Sequence, residues 1–269
     1  MNFNHENLHA YQRMLSFNVK ASAWTNEWDS KHAICDQLSR AAESMLENVA
    51  VASAAYSSSM KHRYLNYAIG SSLECAGCLD LARVKRLLDA KTAYAEKDEI
   101  SQILRMMVGL KKSWTQSAGM VREHDSDYSS DGGDLDKVHD KARDKEGQEK
   151  PLFHHEALDV YKVGIEVASA FCASEAVASL SNHSFRRLDE LLTSMVLNIA
   201  EGNGRFSAAD QARFLGTSHE SAIKLAARLD LCVAQDVLPK DEVNGWKELL
   251  QRVSVMTSAM IAGGAGGLR

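Results

Sequence analysis

Four groups of residues in this chain have types and spacing that chemistry could use. Cys75-Ala76-Gly77-Cys78 has the Cys-x-x-Cys spacing of a zinc site. A structural zinc needs four ligands and usually a second paired element, and none is evident, so core or half-buried thiols are the better reading. His154 and His155 are adjacent, and neighbours on a helix point in different directions, which argues against one shared metal. Asp125 to Asp136 resembles a calcium loop in charge alone. Ser130 stands where the turn needs Gly, and Asp136 stands where a bidentate Glu should close the shell. The fourth group is Glu201, Arg205, Asp210 and Arg213. It reads either as a recognition surface or as structural charge pairing, with Asp210 stabilising a helix start through its dipole. No nucleophile with a base, phosphate loop or dinucleotide fingerprint is visible. No catalytic residue, metal or cofactor is assigned, and the chain is expected not to be an enzyme.

The elements that must position these groups follow from a repeat at an offset of 150 residues. Phe3, His5, Glu6, Leu8 and Tyr11 recur as Phe153, His155, Glu156, Leu158 and Tyr161. Met45, Asn48 and Ala50 recur as Met195, Asn198 and Ala200, and Leu79-Asp80-Leu81 recurs as Leu229-Asp230-Leu231. Ser57, Arg63, Leu65 and Ser71 recur as Ser207, Arg213, Leu215 and Ser221. The register holds without a gap, so the chain is a tandem duplication of one domain.

Each copy reads as four helices by 3–4 apolar spacing. In the second copy the spacing predicts helices near 154–178, 184–200, 207–237 and 241–261; in the first, near 5–26, 31–55, 58–90 and 96–118. Gly202-Asn203-Gly204 is expected to stop the second helix. Ser207 to Asp210 resembles a capping box with Asp in place of Glu. The predicted fold is all-α: two up-down-up-down four-helix bundles, at 1–120 and 151–262. Residues 121–150 are acidic and poor in large apolar side chains, so a flexible linker is expected there, with independent bundles on either side. A disordered glycine-rich tail is expected over 263–269.

Charge narrows the partners. Residues 1–116 carry 14 Lys/Arg against 12 Asp/Glu, residues 117–150 carry 6 against 10, and residues 151–269 carry 11 against 14, which sums to −5. No segment has the basic excess usual for nucleic-acid binding. A local patch in the first copy, Arg83, Lys85, Arg86, Lys91, Lys111 and Lys112, is the candidate for any such contact. No apolar run approaches a membrane span of about 20 residues. Met1 to Glu6 is no secretory signal, and five cysteines without one point to a cytoplasmic protein with reduced thiols.

The run Asn198-Ile199-Ala200-Glu201-Gly202-Asn203-Gly204-Arg205-Phe206-Ser207, then Asp210 and Arg213-Phe214-Leu215, resembles the four-helix-bundle proteins encoded in bacterial 23S rRNA intervening sequences. That family is related to the accessory variability protein of retroelements. Leu158, Val160 and Tyr161 are also similar to its first helix. Its signature joins an Asn-Ile-Ala-Glu-Gly-x-Gly-Arg turn to a Gly-Ser-x-x-Glu motif in helix three. The second copy keeps the turn (Glu201, Gly202, Gly204, Arg205), and its helix-three motif has become Glu220, Ser221 and Lys224. The first copy keeps Gly70-Ser71-Ser72-Leu73-Glu74, and its turn has become Val51-Ala52-Ser53-Ala54-Ala55.

The resemblance implies ring-like assembly, since single-copy members look like pentameric rings, and the retroelement relatives imply an RNA-, DNA- or reverse-transcriptase-associated role. The expected function is a non-enzymatic scaffold acting through helix faces, with itself or a protein partner. The alternative is a nucleic-acid or reverse-transcriptase accessory protein. Gly in a helix costs about 1 kcal/mol relative to Ala, so Gly70 with Ser71 marks a close helix approach, either inside the chain or between subunits. Self-association through helix three is the expectation built on Gly70, Ser71 and Glu74.

Overall fold

The computed structural model describes residues 3–118 and 151–266, with backbone alone at 115–118 and 264–266. The expected linker at 121–150 lies outside the described residues. The first copy runs from a 3-10 turn (Asn4–Asn7) through α1 (His9–Glu27), α2 (Ile34–Ala54), α3 (Ser58–Val84) and α4 (Ala90–Ala118). The second runs through α5 (His154–Ala157), α6 (Asp159–Ala173), α7 (Glu175–Ala178), α8 (Asn182–Asn203), α9 (Ala208–Ala234) and α10 (Lys240–Gly266). No strand occurs among the described residues.

The duplication extends to single hydrogen bonds. Ser57 and Ser207 cap α3 and α9, their Oγ atoms accepting from the amides of Met60 at 3.2 Å and Asp210 at 3.0 Å. Ser44 meets Ser71 at 2.9 Å between α2 and α3, and Ser194 meets Ser221 at 3.0 Å between α8 and α9. Both third helices end on a left-handed residue that is not glycine, Arg86 at φ 58° and Asp236 at φ 56°. The next amide then reaches back, Leu87 to Ala82 O at 2.9 Å and Val237 to Cys232 O at 3.0 Å, which satisfies carbonyls at the helix end.

Three sequence expectations need correction. The helix expected over 154–178 is broken twice. Leu158 is extended (φ −69°, ψ 130°), as is its counterpart Leu8 (φ −80°, ψ 122°). Ser174 leaves the helix and caps α7 through the amide of Val177, the competition with helix backbone that serine hydroxyls offer. α10 continues to Gly266, past the Gly263 where the tail was expected to begin. Propagation adds a hydrogen bond per residue to a helix already nucleated.

The third correction concerns independence. The two copies share one continuous apolar core, and α3 packs against both α6 and α8. Their sequences differ accordingly. α9 buries one stripe, Leu215, Ser218, Ser221, Ala222, Leu225, Leu229 and Cys232, as a surface helix should. In α3 every residue from Ala68 to Ala82 except Glu74 is buried, because helices cover it on all sides. Small residues on α3 and a second apolar face from the other copy let the docking remove from water apolar surface that a lone bundle would expose.

One prediction concerns the end of α3. A non-glycine residue held left-handed costs about 1–2 kcal/mol, partly offset by the extra freedom glycine has when unfolded. Arg86 is exposed. Arg86→Gly should therefore stabilise the chain by about 0.5–1 kcal/mol, read as a higher urea midpoint with an unchanged slope.

Candidate functional site

The sequence motifs converge on the junction between the copies, and they do so across it. Gly70 on α3 faces the guanidinium of Arg205: a Cβ at Gly70 would lie 2.8 Å from Arg205 Cζ. A Cβ at Gly204 would overlap Leu73 Cδ1. At Gly77 a Cβ would lie 3.0 Å from Leu197 Cδ2 and 3.4 Å from Ala200 Cβ. The glycines of both copies are thus the room into which the other copy packs. Arg205 is held by an ion pair to Glu201 and lies 4.5 Å over the Phe214 ring. Gly202 lets α9 approach, since its Cβ would stand 3.0 Å from Phe214 Cβ. Asp210 is used at the cap of α9, and its contact with Arg213 is exposed at 3.9 Å.

Glu74 completes this end. Burial raises its pKa up to about 7, against the opposing pull of Arg40 and Arg205. Ser71 is occupied by Ser44. Gly70, Ser71 and Glu74 therefore serve a contact within the chain, and the expectation of a subunit contact through them is corrected: Arg205 already fills the space Gly70 leaves.

Two buried charge clusters lie further along the junction. Lys85 is ion-paired with Asp189, both side chains at 0% exposure, and donates to Thr193 Oγ1 at 3.1 Å. The other oxygen of Asp189 accepts from the Ala33 amide at 2.8 Å. In the second cluster Lys97 Nζ lies 2.7 Å from Asp80 and 2.8 Å from Glu156, while Tyr161 donates to Asp80 at 2.9 Å. Burial acts to lower the Lys97 pKa, but the two carboxylates outweigh it and hold it above its ordinary value. His155 stacks on Phe153 and meets Tyr161 edge to face. Its ring nitrogens have no hydrogen-bond partner, and burial takes its pKa down to about 3, leaving it neutral.

Asp80, His155 and Glu156 place donor atoms within 4.8 Å of one another, a spacing a metal could use. Lys97 already stands between the two carboxylates and supplies the cation, so the cluster reads as a buried ion network. Sequence reasoning missed both clusters, though the recurrence of Asp80 and Lys97 as Asp230 and Lys247 at the same offset was a usable signal. It also missed one Glu-x-x-His spacing, Glu6 to His9, which the extended Leu8 divides between the 3-10 turn and α1. Cys75 and Cys78 are free and buried, and burial pushes both thiols up, as expected of core cysteines.

The basic patch is not brought together. Lys85 is consumed by Asp189. Arg83, Arg86 and Lys91 lie where α3 turns into α4, and Lys111 and Lys112 lie about 30 Å further along α4 by helical rise. Lys111 donates to Asn66 at 3.0 Å and sits 3.7 Å over the Phe206 ring, a cross-copy contact.

These contacts give the signature a structural meaning, and the family comparison matches its position. The model of the 23S rRNA-intervening sequence protein family matches residues 6–109 and again 156–259. The chain belongs to that family. The two matches stand 150 residues apart at both ends, in the register of the duplication. No curated protein and no solved structure matches the chain significantly. In this tandem member of the 23S rRNA-intervening sequence proteins, each copy retains the half-signature that faces the other copy.

Two predictions follow from the buried charges. Removing one partner of a buried pair leaves the other uncompensated, at about 3–5 kcal/mol. Lys85→Met alone should cost that much in urea unfolding, and Lys85→Met with Asp189→Leu should recover most of it. For Glu74, the folded pKa of about 7 exceeds the unfolded carboxylate value of about 4.3. The folded state then holds the extra proton between those values, so this residue makes stability fall as pH rises through that window. Glu74→Gln should remove the fall, so the variant gains on the parent between pH 5 and pH 8; parallel profiles would refute the assignment.

Proposed function

We propose that the protein is a non-enzymatic assembly protein that works through helix faces, with itself or another protein as partner. The observation that carries this reading is that the family signature is spent on packing one copy against the next. Its Gly70 and Gly204 admit side chains of the other copy, and Glu74, Glu201 and Arg205 are paired or buried there. A group used this way is a docking device, whereas an active site would hold unspent polar groups over a cavity. A cytoplasmic setting is consistent with five free cysteines; among the described residues no helix is long and apolar enough to cross a membrane.

The accessory role in nucleic-acid or reverse-transcriptase chemistry ranks second. Phosphate neutralisation supplies most nucleic-acid affinity and fades with salt. The chain carries −5 overall, and its basic residues are divided between two ends of α4. RNA and duplex DNA titrations by fluorescence anisotropy should show weak binding that is alike for all sequences and is lost near physiological salt. Charge reversal at Arg83, Arg86 and Lys91 should weaken it further. Salt-resistant, sequence-selective binding would overturn the assembly reading in favour of the accessory role.

A further inference from the structure

The junction between the copies is heterologous. The α6–α8 face of the second copy meets α3 and Lys97 of the first, so different surfaces are used on the two sides. Such a contact leaves each partner one unused face. Here these are the 3-10 turn, α1 and α2 of the first copy, and α9 with α10 of the second.

The unused faces carry the two separated halves of the second buried cluster. Lys247 lies 2.6 Å from Asp230, as Lys97 lies 2.7 Å from Asp80, but the outer pair is open to solvent. At the other end His5 lies 5.5 Å from Phe3 and 4.6 Å from Tyr11 between ring centroids, repeating 5.6 and 4.7 Å around His155. Glu6 stands where Glu156 closes the inner cluster. The apolar stripe is repeated as well. Ile223 and Leu231 are 52% and 44% exposed, where their counterparts Leu73 and Leu81 are covered to 7% and 0%.

Three of the remaining contacts are rewritten in matched pairs, while Gly204 against Leu73 becomes the larger Ala54 against the branched Ile223. Small Gly70 against large Arg205 becomes large Glu220 against small Ala55. Lys85 with Asp189 and Thr193 becomes Gln235 with Ser39 and Glu43. Gly77 against Leu197 becomes Ala227 against Glu47, with Arg228 beside Ala227. None of these pairs sets like charges together.

We propose that chains associate head to tail, the Glu6, Tyr11 and Glu47 face of one chain covering the Ile223, Arg228, Leu231 and Lys247 face of the next. This rests on the assembly reading above and names its partner as a second copy of the chain. The contact rebuilds the Asp–Lys–Glu cluster between molecules. It lacks the fully buried Lys85–Asp189 pair and relies on exposed charges, so it is weaker than the internal junction and sensitive to salt.

The test uses the full chain and two double variants at exposed or half-exposed positions, Glu6→Lys with Glu47→Lys, and Arg228→Glu with Lys247→Glu. By light scattering, the wild-type mass should rise with concentration through multiples of 29.6 kDa and fall back as salt is added. Each variant alone should remain at single-chain mass with unchanged helicity by circular dichroism. An equal mixture of the two should associate again, because each reversed face then meets a face of opposite charge. A wild-type chain that stays at single-chain mass at every concentration overturns the proposal. So do variants that associate as the wild type does, an outcome that leaves helix-face assembly standing and moves the contact elsewhere. Failure of the assembly reading itself would appear in the nucleic-acid titrations.

Discussion

The close approach of the second copy's α8–α9 turn to α3 is the constraint on which the rest depends. Side chains at Gly70 and Gly204 would both collide with the opposite copy. With hydrogen at those positions, α3 is covered on every side and loses the polar face its counterpart α9 keeps. Interiors pack at crystal-like density, so a methyl group at either point would displace the side chain packed there, Arg205 at Gly70 and Leu73 at Gly204. The burial of Lys85 with Asp189, and of Lys97 with Asp80 and Glu156, follows from the same approach: these charges lose water because the copies meet there.

The approach also accounts for the unequal decay of the copies. Within one chain the junction forms once and needs one turn and one helix-three groove. The first copy's turn faces outward, and it has become Val51-Ala52-Ser53-Ala54-Ala55. The second copy's helix three faces outward, and its glycine has become Glu220. Each loss lies on a surface the internal junction does not use. The internal contact uses only half of each copy's docking chemistry, and the halves it does not use carry different residues.

The second charge cluster shows how docking assembles a spacing that a metal could use around a lysine already present. Two carboxylates and a histidine come within 4.8 Å because two copies bring them there. The lysine between them pairs with both acids, one positive charge against two carboxylates, and bridges α4 to the second copy. Burial of a paired charge is costly, and the benefit of such a network lies more in fixing one docking geometry than in added stability. Here the network ties Asp80 on α3 and Lys97 on α4 to Glu156 and Tyr161 of the second copy.

The helices, their caps and the duplication were legible in the amino-acid order, because apolar periodicity, capping serines and a constant offset are local or internal properties. Core status for Cys75 and Cys78 followed from the same kind of reasoning. The meeting of Gly70 with Arg205, 135 residues apart, was not legible. Neither was the pairing of Lys85 with Asp189, which removed a lysine from the expected basic patch. Periodicity says which face of a helix is apolar but not what covers it, and α3, apolar on all sides, gave no stripe from which to read a partner. Only tertiary docking decided that the two halves of the signature belong to one contact, because the free energy of that contact is shared by residues that neither copy contains alone.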